Sequence, residues 1–377
     1  MTPIPPDPLP ARGMPAVTLV MDPHDDAAHT HTALAAHHPP SGRITLHPGP
    51  GTTSDTTLAH DLLAALGRPP LLPGRFPPGR QPAWEAATAW ATALPVKRLT
   101  VLRAHRLTTR RTERLLQLGA MTDLHLTLIC HRPYLPAALH KALSTADHTV
   151  ITGLAAARRH YGAPLGPLRP PADGPASSGR WLTLPALDRL VSYDSPAPCT
   201  VRCTPPLIAW NRRPPPPVLT PGTAQEAAGR LLAATAHPRL AAALAVVLFT
   251  GASFQQLATA CPDDYDEAAA TLALHDRTLY TDGCAAHPVP GWASVFLRAA
   301  ACFALLAPGQ DQQLLAASGD RPQLLRLAEA ARMRPSQPPA ANRKGPAGGI
   351  VWDWLEQREA ARYDAMLEWR ARPRPRQ

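Results

Sequence analysis

Residues 21–38 read MDPHDDAAHTHTALAAHH. Asp22, Asp25 and Asp26 sit there among His24, His29, His31, His37 and His38, so one short stretch offers carboxylates and imidazoles together. Side chains of this kind ligate divalent metals. A zinc-type motif, however, needs two histidines four apart on one helix face with a general-base glutamate. Here His29 and His31 are two apart and lie on different sides of a helix. His24, Asp25 and His29 converge only if the loop wraps, so no metal and no cofactor are expected.

Other clusters carry less chemistry. Cys199 and Cys203 have the spacing of half a zinc site, but no second pair follows, which leaves idle thiols. Asp263, Asp264, Asp266 and Glu267 read as a solvated acidic turn. No G-x-S-x-G elbow occurs. Arg103, Arg106, Arg110, Arg111 and Arg114 form a basic run in which Arg110 and Arg114 share a helix face. It is either a solvated face beside Glu113 or a contact for a phosphate backbone.

The elements that must position these residues alternate in type. Strands are predicted at 16–21, 43–48, 98–104, 124–131 and 148–154. Helices are predicted at 25–38, 53–67, 83–94, 108–121 and 135–146, with Gly67 closing the second and Pro136 in the first turn of the last. Such alternation implies a parallel sheet covered by helices on both faces, an α/β fold. The Asp/His stretch then falls between the first strand and the first helix, where a phosphate-binding loop would lie.

This order over residues 16–150 resembles an AAA-type P-loop ATPase, of the kind found beside transposases and in signal-transduction ATPases. RITLHPGP resembles the second strand of that family. VKRLTVLRAHRLTTRRTERLLQL resembles its Walker B strand, loop and helix, and LHLTLICHRP its sensor strand. The resemblance implies a P-loop-NTPase-like fold. The chemistry departs from it. A phosphate loop needs G-x-x-x-x-G-K-[ST], so that backbone N–H groups approach the phosphates while Lys supplies charge. In the window DPHDDAAH, Asp22 and Ala27 stand where the glycines belong. Ala28 replaces the lysine and His29 the hydroxyl residue, while Asp25 and Asp26 add negative charge. In a partly buried loop such repulsion opposes triphosphate binding by several kcal/mol. At the Walker B position an Asp-Glu pair would hold Mg²⁺, and here Arg103 and Ala104 follow the apolar run. Asp22, Asp25, Asp26, Ala27, Ala28, His29, Arg103 and Ala104 are therefore vestigial nucleotide-site positions, and no catalytic residue is assigned.

A second resemblance lies further on. Thr250-Gly-Ala-Ser-Phe-Gln-Gln-Leu257 is similar to the segment around the first catalytic arginine of tyrosine recombinases, T-G-x-R-x-x-E-L, with Ser253 and Gln256 at the arginine and glutamate positions. The plainer reading is two packed helices flanking a hairpin. Tyr363 has no tie to a nucleophile's role.

Composition bounds the rest. The 377 residues carry 47 prolines, which cannot be spread through helix interiors and must mark linkers. The net charge of +10 is nearly all arginine, since lysine occurs only at 97, 141 and 344. A codon bias explains that as readily as affinity for nucleic acid does. No apolar run reaches the roughly 18 residues of a membrane span and no leader precedes the chain, so a cytoplasmic protein without membrane contact is expected.

The expected organisation is a disordered 1–15, an NTPase-like α/β domain at 16–162 and a proline-rich connector with a small insert at 163–222. A helical domain at 223–334, a linker at 335–349, and a helix with a basic tail at 350–377 follow. The function expected is that of a non-catalytic pseudo-ATPase that scaffolds a DNA-associated assembly, such as that of a mobile element, with DNA and a protein as partners. The alternatives are an AAA-type ATPase with an atypical phosphate site and a protein-interaction module without DNA binding.

Overall fold

The computed structural model describes residues 16–52, 54–70, 72, 81–162, 180–182, 184–191, 218–275, 277–278, 281–282, 284–307, 313–316 and 319–334. The expectations for 1–15, for Cys199 and Cys203, and for the C-terminal helix with Tyr363 lie outside these residues. The chain divides into two compact units, Met1–Thr53 with Pro95–Leu168 and Ser54–Leu94 with Arg169–Gln377. Residues 54–94, read in the sequence as part of the α/β domain, belong to the second unit.

In the first unit, strands β1 (Val17–Met21) and β2 (Arg43–Leu46) bracket helix α1 (Ala27–Ala35). Two helices of the second unit come next in the chain, α2 (Asp55–Ala65) and α3 (Ala83–Ala93). The first unit resumes with β3 (Arg98–Val101), α4 (Thr109–Thr122), β4 (His125–Cys130), α5 (Ala137–Leu143), β5 (His148–Ile151) and α6 (Leu154–Tyr161). The five strands form one parallel sheet in the order β2-β3-β4-β1-β5. Strands β1 and β4 are buried along nearly their whole length, as strands covered on both faces must be. Strands β2 and β5 are the edges, and Val150 on β5 is exposed. Helix α6 was not expected: LAAARRHY follows the last strand after Gly153 and ends at left-handed Gly162.

The strand order decides where a site can lie. The chain leaves β1 toward β2, past β4 and β3, whereas it leaves β4 toward β5, past β1. Crossovers of the usual right hand then put α1 on one face and α4 and α5 on the other. The pairings of α1 with α6 and of α4 with α5 divide the helices in the same way. Neighbours β1 and β4 are thus a topological switch point, and the crevice beyond their carboxyl ends is where open α/β sheets bind ligands.

The second unit is helical. Helices α2 and α3 pack with each other, and α3 packs on α10 (Gly291–Leu306), which also meets α8 (Pro238–Thr250). Trp90 of α3 is fully buried, donates its indole N–H to the Ala236 carbonyl at 2.7 Å and meets Phe296 edge-on. Helix α7 (Pro221–Ala234) precedes α8, and α11 (Arg321–Ala330) follows α10. The segment 239–260 holds two helices, because Gly251 takes a left-handed φ of 62° and α9 (Phe254–Thr259) starts afresh. Ser253 and Gln256 close a reciprocal capping box there, at 2.9 and 3.4 Å, so the recombinase-like positions perform a local structural task. Short antiparallel strands complete the unit: β6 (Tyr265–Asp266), β7 (Thr271–Leu274), β8 (Arg277–Thr278), β9 (Thr281–Asp282) and β10 (Ala285–Pro288). In the acidic turn Asp264 accepts from the Cys261 N–H and faces His275 at 3.0 Å, and Asp266 accepts from the Ala269 N–H.

Candidate functional site

Three loops meet at the carboxyl ends of β3, β4 and β1, which are consecutive in the sheet. Beneath them an apolar cluster of Val20, Leu102, Ile129, Ala33, Ala36, Ala157 and Tyr161 fixes the points where the strands end. The next residues along each chain segment are polar. Asp22 follows β1, Arg103 lies just past β3, and His131 follows β4. The Asp22 N–H donates to the Cys130 carbonyl at 2.9 Å, which extends the β1–β4 ladder by one step and brings Asp22 beside His131.

The polar groups are tightly ordered. Asp22 is buried, and its Oδ2 lies 2.7 Å from Nδ1 of the fully buried His131 side chain. Its Oδ1 accepts the Asp26 N–H at 3.1 Å. Asp25 is about half exposed; its Oδ1 lies 3.3 Å from the same Nδ1, and its Oδ2 accepts from Nη1 of Arg103 at 3.1 Å. The Arg103 hydrogen bond holds the Asp25 carboxyl below the usual carboxylate range, aided by the nearby charge. Both partners of that pair have left-handed backbones, with φ of 51° at Asp25 and 52° at Arg103. Left-handed backbone costs a non-glycine residue about 1–2 kcal/mol, less for Asp than for Arg. Such conformations persist only where the surroundings impose them, and they gather at functional sites.

Beside them, His105 accepts the His131 N–H on its Nδ1 at 3.3 Å. Burial, with His131 and three arginines nearby, pushes His105 down to about 4, so it is neutral near pH 7. Burial and the Asp22 charge push the Tyr161 hydroxyl up.

The window expected to be a vestigial phosphate loop is bonded within the chain at Asp22, Asp25 and Asp26. Asp26 caps α1, its carboxylate accepting the Ala28 N–H at 2.9 Å while its carbonyl accepts the His29 N–H. Together with the Asp22–Asp26 bond, two of the donors at the N-terminus of α1, the Asp26 and Ala28 N–H groups, are met by the chain's own carboxylates. A bound anion would use such donors. Ala27 is exposed, and His29 turns inward as a buried residue. His24, His31 and His38 are exposed, and His37 accepts the Thr45 N–H. Ala104 is buried in the turn after Arg103.

The fold thus groups Asp25 with Asp22 and His131, not with His24 and His29. One ligand-type atom from each of Asp22, Asp25 and His131 lies within 4.8 Å of the others. Sequence reasoning missed His131, which is 109 positions from Asp22. Only the pairing of β4 with β1 reveals it. Of the basic run, Arg103 is committed to Asp25, Arg106 and Arg110 are exposed, and Arg111 and Arg114 are half-buried. Arg111 donates to the Thr52 carbonyl at 3.0 Å.

No family model, no curated protein and no solved structure matches this chain. No helix among the described residues is long and apolar enough to cross a membrane.

Proposed function

We propose that the first unit is a pseudo-ATPase, a P-loop-NTPase-like fold that has given up nucleotide chemistry and serves as the scaffold of a DNA-associated assembly. The observation that carries this reading is the Asp25–Arg103 ion pair at 3.1 Å. A working site of this class puts a cation in the loop after the first strand and a carboxylate at the end of the Walker B strand. Here the signs are exchanged and the two side chains neutralise each other. A triphosphate entering the crevice would meet Asp22 and Asp25 with no lysine to receive it. The Asp26, Ala28 and His29 N–H groups at the start of α1 are already bonded within the chain.

The DNA-associated part of the proposal rests on Arg106 and Arg110, exposed on the segment after the β3 turn. A phosphate-release assay with the full chain tests the catalytic claim: no release above the buffer blank is expected, and turnover that Arg103→Glu alters would overturn it. Retention of duplex DNA that falls steeply between low and moderate salt is expected for the arginine contact. No retention at low salt would remove the DNA role and leave a protein-interaction module.

A further inference from the structure

We infer that Asp22, Asp25 and His131 form a binding site for one divalent transition-metal ion of the manganese and zinc class. The case is geometric. Each carboxylate has one oxygen fixed by a donor of the protein, the Asp26 N–H on Asp22 and the Arg103 guanidinium on Asp25. The other oxygen of each faces Nδ1 of His131, at 2.7 and 3.3 Å. Outer partners that orient the ligating atoms in this way are the mark of a built metal site.

A second observation comes from the imidazole itself. The His131 side chain is fully buried, and its Nε2 has no hydrogen-bond partner among the described residues. One Nδ1–H cannot serve two carboxylates equally. A cation between the three atoms would take the place of that shared proton, and the ring N–H would then lie on Nε2. Two carboxylate oxygens with one imidazole suit Mn²⁺ by oxygen content and Zn²⁺ by the imidazole. Half-exposed Asp25 leaves an entry path, and water would complete the coordination. Bound there, the ion would tie the loop after β1 to the loop after β4.

The inference does not depend on the pseudo-ATPase reading, because it is tested without nucleotide. The test is a Mn²⁺ titration of the full chain followed by electron paramagnetic resonance, a probe chosen because the many surface histidines hold Mn²⁺ weakly. One saturable equivalent is expected, displaced by Zn²⁺ in accord with the usual order of affinities. Asp25→Asn and His131→Gln should each weaken it by about 100-fold, at the upper end of what losing an outer partner alone costs. Asn tolerates the left-handed backbone at position 25, so the first variant keeps its fold, as a circular-dichroism melt checks. No saturable equivalent, or one held equally by both variants, would overturn the inference.

Discussion

Buried charge is handled in two ways in this molecule. In the helical unit, Arg230 is buried and meets Glu226 at 2.5 Å, with the Arg332 and Arg180 carbonyls at 2.8 Å. Arg239 likewise donates to the Leu315 carbonyl at 2.9 Å. Each guanidinium staples chain segments far apart in sequence, and Glu226 answers the charge of Arg230. At the switch point of the α/β unit, two carboxylates converge on one imidazole, and one arginine answers only the outer of them. The first arrangement is what stability selects. The second is costly for stability, and on the proposed reading it serves what the crevice binds or refuses.

Substitutions should separate the two. The largest effect is expected in the helical unit from Trp90→Ala, which empties a fully buried site and strands the Ala236 carbonyl. A loss of about 4 kcal/mol is expected from urea unfolding; a loss under about 1 kcal/mol would show that α3 does not anchor that core. Arg230→Met should follow at about 3 kcal/mol, the low end for a broken buried pair because Glu226 is partly exposed. An unchanged urea midpoint would make the staple ornamental.

Acid should weaken both units. His237 in the helical unit stays neutral down to about 3, and His160 and His105 in the α/β unit down to about 4, because burial disfavours their charged forms. The unfolded chain takes up these protons near 6.5. Between those values the unfolded state binds more protons, so stability is complete above pH 6.5 and falls as pH drops toward 4. The urea midpoint should fall between pH 7.5 and pH 5, and His237→Phe should flatten part of the slope. A midpoint that holds or rises would contradict the burial of these rings.

The smallest stability effect is expected at the site. Asp25→Asn loses a half-exposed ion pair, worth at most about 1 kcal/mol, and relieves the crowding of carboxylates around His131. A melting temperature within a few degrees of the parent, or above it, is expected. A loss as large as that from Arg230→Met would make the cluster structural and erase the contrast between the two regions.

How much of this the sequence discloses follows the range of the interactions. The strand and helix alternation is local, and all five parallel strands are where periodicity and turn residues place them. Asp22, Asp25 and Arg103 stand out in the sequence only against the resemblance to a phosphate-loop ATPase. His131 is silent in the sequence, since its meaning depends on β4 pairing with β1. Residues 54–94 look like any amphipathic α/β helices, and amphipathicity does not say which core a helix covers; Trp90 and its alanines fit the one formed by α8 and α10. The break at Gly251 is hidden by the continuous apolar run around it, and only its left-handed φ divides α8 from α9.

On the proposed reading, the exchanged charges at Asp25 and Arg103 leave no place for a nucleotide. Thermal unfolding of the full chain with and without Mg·ATP tests it most directly. A ligand at 100 times its Kd would stabilise the folded protein by about 2.7 kcal/mol. The account predicts no rise in the melting temperature at millimolar Mg·ATP. A rise that saturates with nucleotide, and that Asp25→Asn enlarges, would contradict it.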